Sequence, residues 1–197
     1  MVRPRADNYD ERRQSILDGT AEMFAQHGYD GTSIATIARH LGVSKALIYH
    51  YYQSKEALLY DILSLHCQLL ADTAVNAAKT ETVPEKQLQA VVRALMRLYG
   101  TSREKHIVLL NNLHCLSLPQ QKQIKDLEKK VVQVIKDLLA KLQPHLKPPA
   151  RSAMAMYLMG AINWTYTWFQ SRGAVSEKEF ADLATSLFLN GINNSPA

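Results

Sequence analysis

The sequence predicts an all-α chain of about nine helices, with a three-helix head over residues 1–56 and a larger helical body over 57–197. Three observations carry that prediction. Apolar residues recur at three- and four-residue spacing in segment after segment, which is the period of a helix with one buried face. The breaks fall at Gly28, Gly42, Pro84, Pro144, Pro148 and Pro149, residue types that start or stop helices. Residues 32–56, TSIATIARHLGVSKALIYHYYQSKE, hold two short helical patterns with a glycine turn between them. That is helix-turn-helix spacing, in which the second helix enters a major groove.

Composition supports a packed chain. Of 197 residues, 47% are apolar, which is ample for a core. The formal net charge is +5, compatible with a nucleic-acid partner. Residues 1–60 hold seven Lys/Arg and seven Asp/Glu, so the surplus lies in the body. A basic head would show the reverse, so the acids Asp7, Asp10, Glu11, Asp18 and Glu22 are expected on a face of the first helix turned from DNA. The surplus in the body reads as a solvated face or as a site for an anionic ligand. Two cysteines, Cys67 and Cys115, form neither a disulfide framework nor a metal-binding CxxC pair. No HExxH, GxSxG or phosphate loop is present. The expectations are therefore no enzyme, no cofactor and no metal. With no apolar run of about 20 residues and no leader pattern, the expected location is the cytoplasm, away from membranes.

The head comes first. Residues 1–8 read as a flexible arm whose Arg3 and Arg5 flank Pro4, a spacing suited to phosphates or a minor groove. Residues 9–27 form a helix with Ile16, Leu17, Thr20, Ala21 and Phe24 inward, stopped at Gly28. Thr32 is expected to cap the next helix, which buries Ile34, Ile37, Ala38 and Leu41. Gly42 closes it in a left-handed conformation. Ser44 caps the following helix, with Val43 and Ile48 inward and Lys45, Tyr49, His50 and Tyr51 outward.

The run from Arg13 to Leu59 resembles the DNA-binding domain of the TetR family of repressors. The residues that carry the resemblance are Ala21, Phe24, Gly28, Thr32, Ile37, Ala38, Gly42, Val43, Ser44, Tyr49, Tyr51, Ser54, Lys55, Glu56 and Leu58. They occur in register over about a quarter of the chain. Four positions depart from the family pattern. Ala46 stands where glycine is common, Leu47 where a small hydroxyl residue is common, Tyr52 replaces phenylalanine, and Gln53 replaces proline or lysine.

The resemblance implies double-stranded operator DNA as a partner, and side-chain chemistry suggests roles. Lys45 can reach guanine O6/N7 or a phosphate, and the apolar surfaces of Ala46 and Leu47 can meet thymine methyls. Tyr49 and His50 have polar tips at backbone reach. Thr32 and Lys55, at helix starts, are expected to bind phosphates with the help of the helix dipole. Of Tyr51 and Tyr52, the second takes the core position.

In the body, residues 54–79 read as a long helix started by Ser54, with Leu58, Leu59, Ile62, Leu65, Leu69 and Leu70 on a wide apolar face. His66 within it reads as a packed histidine or a pocket residue. Pro84 opens a further helix at its first position, with Arg93 and Arg97 four apart. The helix after Ser102 ends in the polar group Asn111, Asn112 and His114. These residues either line a cavity or cap the helix end. Residues 120–142 form an amphipathic helix. The closing segments are 149–172 and 176–190, joined by residues 171–175, with Gly191 ending the last. The stretch AMAMYLMGAINWTYTWFQ is apolar nearly all round, as for a helix buried on both sides.

The resemblance implies that the last two helices form a homodimer interface. Met154, Tyr157, Leu158, Ala161, Phe180, Leu183 and Leu187 are its expected residues. It also implies a small-molecule effector, for which Arg97, Asn111, Asn112, His114, Tyr157, Trp164 and Trp168 are the candidate contacts. The tryptophans read equally as core or interface anchors. The segment from Asn163 to Ile192 resembles the C-terminal region of TetR-type regulators that answer to acyl-CoA thioesters. An acyl chain would then sit in the apolar part, with Arg93, Arg97, Arg103 or Arg172 at the phosphates. The alternative is a multidrug-type regulator that senses an aromatic or cationic molecule and controls efflux. A sequence-neutral architectural DNA protein is disfavoured, because coating DNA needs no large apolar body.

Overall fold

The computed structural model describes residues 4–170 and 173–193, with side chains for 9–170 and 173–192. Among the described residues there are nine α-helices, two 3-10 turns and no strand. They fall into two compact units, one within residues 1–66 and 104–124, the other within 67–103 and 125–197. This differs from a single cut after residue 56, because the chain returns to the first unit at residue 104.

The first unit holds α1 (Pro4–His27), α2 (Ile34–His40), α3 (Lys45–Tyr51), the start of α4 (Lys55–Ala77), nearly all of α6 (Arg103–Asn112) with the 3-10 turn Leu113–Cys115, and the start of α7 (Leu118–Leu142). Its core is Ile16, Leu17, Phe24, Ile37, Ile48, Leu58, Leu59 and Ile62, all essentially inaccessible. Gly28 ends α1 at φ +73°. Gly42, at φ +65°, ends α2: its N–H donates to the Arg39 carbonyl, and that of Val43 donates to Ala38 O at 2.9 Å. This pair of bonds is a Schellman closure, which a left-handed residue permits.

One expectation fails at the start of the head. Helix α1 begins at Pro4 rather than residue 9, so residues 4–8 are helix, not arm. Proline is favoured in a first helical turn because its missing N–H would have no intrahelical partner there. Arg3 lies outside the described residues, and only the backbone of Arg5 is described.

The second unit holds the end of α4, α5 (Pro84–Thr101), most of α7, α8 (Pro148–Asn163), the 3-10 turn Trp164–Thr167 and α9 (Glu177–Asn193). Pro84 and Pro148 stand in the first turns of their helices. Leu88, Val91, Val92, Leu95, Ile135, Leu139, Ala155 and Ile162 are completely buried. Arg93 and Gln89 on α5 bind Asp182 on α9, the Arg93 Nη2 to Asp182 Oδ2 distance being 2.7 Å. The Arg93 hydrogen bond holds the Asp182 carboxyl below its usual range. Ser176 and Glu179 cap α9 reciprocally: the Ser176 N–H donates to the Glu179 carboxylate and the Glu179 N–H to Ser176 Oγ.

Both closing helices depart from their expected limits. Helix α8 ends at Asn163, and the chain tightens to 3-10 at Trp164. Buried Thr165 donates to Ile162 O at 2.6 Å, and Tyr99 Oη donates to Asn163 Oδ1 at 2.7 Å. Gly191 lies within α9 and does not end it. No described helix is long and apolar enough to cross a membrane.

Candidate nucleic-acid interface

Helix α3 is presented on a capped scaffold. Ser44 Oγ accepts the Leu47 N–H at 3.1 Å, and Ile48 fixes the inner face with no exposure. Lys45, Ala46, Tyr49 and His50 are exposed, while Leu47 and Tyr51 are half-buried. One helical face thus offers an ammonium, a methyl, a phenol and an imidazole. Such a face can meet phosphates and base edges together.

Tyr9 of α1 was not anticipated by spacing. Its ring lies 4.6 Å from that of Tyr51 and 6.5 Å from that of His50, bracing the outer end of α3. Only the fold brings residue 9 to residue 51, so no local signal could have found it.

The start of α2 corrects an expectation. The cap is Ser33, not Thr32: Ser33 Oγ accepts from Thr36 N at 3.1 Å, and Thr36 Oγ1 accepts from Ser33 N at 2.8 Å. Thr32 is buried, and its hydroxyl donates to Gly28 O at 2.8 Å and Met23 O at 3.3 Å. It closes the α1–α2 connection and is not available to a phosphate. Lys55 is likewise engaged. Its Nζ donates to Tyr29 O at 2.7 Å and stands 4.0 Å above the Tyr29 ring, so its charge serves the same connection. Two neighbouring hydroxyls made the cap ambiguous in sequence, and the inward one follows the core.

Tyr52 is buried as expected, and its phenol donates to Asp61 Oδ2 of α4 at 2.5 Å. Arg13 of α1 binds the same carboxylate oxygen. Burial, then the Asp61 hydrogen bond, push the Tyr52 phenol above its ordinary range, so it remains a donor. Two acids of α1 engage other partners. Asp18 pairs with Lys105 at 2.6 Å and Glu22 with His40 at 3.0 Å. Both line a shallow groove of about 520 Å³ between α1 and α2 that includes no α3 residue.

Further along α4, His66 faces His106 of α6, Nε2 to Nδ1 at 3.4 Å, both buried. Burial pushes both imidazoles well below their usual range, with Lys105 adding to the effect on His66 and His66 to that on His106. Asn111 and His114 are exposed, and the Asn111 amide donates to Ile107 O of its own helix. Asn112, half-buried, turns to Cys115. Asn111 thus satisfies a carbonyl of α6, and Asn112 and His114 stand at the passage from α6 into the 3-10 turn. The last turn of a helix leaves carbonyls for such amides to satisfy.

In the second unit, α8 is not buried all round. Ala155, Leu158, Met159 and Ile162 face inward, whereas Tyr157 is 73% exposed. Trp164 and Trp168 are 63% and 54% exposed, so they are not walls of an enclosed cavity, and Arg97 is exposed on α5. Arg172 lies outside the described residues. Met154, Tyr157, Leu158, Ala161, Phe180, Leu183 and Leu187 all line one apolar groove of about 580 Å³ between α8 and α9. Sequence spacing missed the polar groups inside this unit. Tyr99 meets Asn163, while burial pushes up both the Cys67 thiol and the Glu128 carboxyl. Among the described residues no group of three metal-binding side chains occurs.

Known proteins resemble both parts of the chain. Residues 16–62 match the family described as bacterial regulatory proteins, tetR family. Residues 81–192 match the tetracyclin repressor-like, C-terminal domain. A TetR-family transcriptional regulator from Bordetella parapertussis 12822 superimposes with a TM-score of 0.88 at 34% identity, over 94% of this chain and 97% of that one. AibR, solved with isovaleryl coenzyme A and operator DNA, gives a TM-score of 0.78 at 27% identity, over 89% and 97%. The transcriptional regulator BetI of Rhizobium meliloti (strain 1021) is 34% identical over 86 residues, 44% of this chain and 42% of BetI. Matches to other curated regulators of this kind span 35–60% of their lengths. The two family matches together take in the capped α3 and the α8–α9 groove, and the chain belongs to the TetR family of DNA-binding transcriptional regulators.

Proposed function

We propose that this chain is a ligand-responsive repressor that binds a two-fold symmetric operator as a homodimer and leaves it when a small molecule binds. The exposed face of α3 carries the reading: Lys45, Ala46 and Tyr49 stand outward over the fully buried Ile48. Lys45 with Ala46 and Leu47 would read bases, and Tyr49, His50 and exposed Ser44 would hold the backbone. The apolar groove between α8 and α9 supports self-association, because an uncovered apolar face of this kind marks an interaction site. Two heads would then read half-sites about 34–36 Å apart.

Selection from a random DNA pool tests the operator reading. Enrichment of an inverted repeat, bound with steep salt dependence, is the expected result, and enrichment of no sequence would reject it. A promoter carrying that repeat should be silenced by the protein in a cell-free transcription assay; stimulation would make it an activator.

For the effector, an acyl-CoA thioester is the first candidate. The support is the fold shared with AibR, together with Tyr99, Glu128 and Asn163 as polar groups inside the second unit. Calorimetric titration with short- and medium-chain acyl-CoAs, the matching free acids and a hydrophobic cation separates the readings. Thioester binding that weakens DNA affinity is expected, with DNA weakening thioester binding by the same factor. Binding of the cation alone would favour an efflux-type sensor.

A further inference from the structure

The Tyr52 hydroxyl is an addition to a core position. Tyr52 is the C-terminal cap of α3, its N–H donating to Ile48 O at 2.9 Å, and its ring is buried. A phenylalanine would fill that space equally well, so packing alone does not account for the oxygen. The hydroxyl meets the one carboxylate oxygen that also receives Arg13. The three partners come from three helices: Arg13 from α1, Tyr52 from the end of α3, and Asp61 from α4. Asp61 is itself part-buried, with its side chain 22% exposed, so water competes weakly for it. Charge-assisted hydrogen bonds of this kind are directional as well as strong.

We propose that Asp61 is a positioning residue for DNA recognition, latching the C-terminal end of α3 through Tyr52 and bracing that latch on α1 through Arg13. Helix α3 has seven residues, too few to hold its own orientation. Its N-terminal end is fixed by Ser44 and its middle by Ile48. The latch supplies the third point, which sets the rotation of Lys45 and Tyr49 about the helix axis. None of the three latch residues needs to touch DNA. The proposal rests on the DNA-binding reading of α3.

The test uses the full chain and the duplex that the wild-type protein enriches from a random-sequence pool. Tyr52→Phe keeps the ring and removes the oxygen. Well below the melting temperature, with circular dichroism unchanged, it should weaken binding to that duplex by about 3- to 10-fold. The slope of log affinity against log salt should not change, since no phosphate contact is lost. Asp61→Asn should weaken binding at least as much, and the double variant should be no weaker than Asp61→Asn alone, because both changes break one link. A folded Tyr52→Phe protein with wild-type affinity would reduce the hydroxyl to a stability element and overturn the latch. A slope lowered by about one would make Tyr52 a direct phosphate contact and overturn it too, as would additive losses in the double variant. If the wild type enriches no duplex, the DNA-binding reading falls and the latch falls with it; enrichment with unchanged variants removes the latch alone.

Discussion

Lys55 and Tyr49 are both polar residues of the head, and the structure gives them different surroundings. The Lys55 ammonium joins the backbone of the α1–α2 connection and the face of Tyr29. Lys55→Ala should therefore lower stability by about 1–2 kcal/mol, from a charged hydrogen bond and a cation–π contact. A urea midpoint shift with unchanged slope would register it. Tyr49 is 53% exposed on α3, so Tyr49→Ala should leave that midpoint alone while weakening DNA binding similarly across sequences. Gel shifts on the enriched duplex and on a scrambled one would check this, and unchanged affinity for both would count against α3 as the reading helix. Local chemistry made part of this legible. A glycine after an apolar turn foretold the left-handed Gly42, and a hydroxyl before Lys45 foretold the Ser44 cap. The choice between Thr32 and Ser33 was not legible, because burial settles it and both are hydroxyls.

At the level of helices, α4 and α6 are joined in the first unit by the two buried histidines. Each folded ring is held neutral, His66 with its pKa pushed down to about 4. An unfolded histidine titrates near 6.5, so in between the unfolded chain binds more protons than the folded one. Stability is then complete above about pH 6.5 and falls as the pH drops toward 4, by roughly 2 kcal/mol per histidine at pH 5. Urea midpoints at neutral pH and near pH 5 should show this loss. A His66→Gln/His106→Gln variant should show a flatter dependence whatever its absolute stability, and an equally steep one would remove the histidines from the account. Glycine and proline mark helix borders locally at Gly28 and Pro84, whereas Gly191 falls inside α9 and ends nothing. The end of α8 carries no such mark. Trp164 follows Asn163 without a breaker, and the turn there is set by Thr165 and by Tyr99, 64 residues away. Pro4 is such a mark, standing at the first position of α1.

For the whole molecule, the groove between α8 and α9 gathers every residue expected at a dimer interface. That set came with the family resemblance, and its residues share one groove because the two helices present apolar side chains on one side. Leu187 is 64% exposed, so Leu187→Glu should leave the protomer folded and place an unpaired charge in any interface. The dimer should dissociate at least about a hundredfold more readily, and light scattering after gel filtration would show the monomer. An unaffected dimer would move the interface elsewhere. Spacing could not reveal Arg13 and Asp61, 48 residues apart, nor His66 and His106, 40 apart, as partners, and the nearer Tyr52–Asp61 pair joins two separate helices whose angle no local period sets.

Helix α9 holds Asp182 against Arg93 and Gln89 of α5, and the next residue, Leu183, is 53% exposed on the groove side. Neighbouring residues thus serve an internal tie and an external face. The alignment of the outer face is inherited from α5, so in the proposed dimer a change at Arg93, which does not line the groove, would loosen assembly without altering a single surface leucine. That dimer would then depend partly on the tie between Arg93 and Asp182, which stands behind the apolar face.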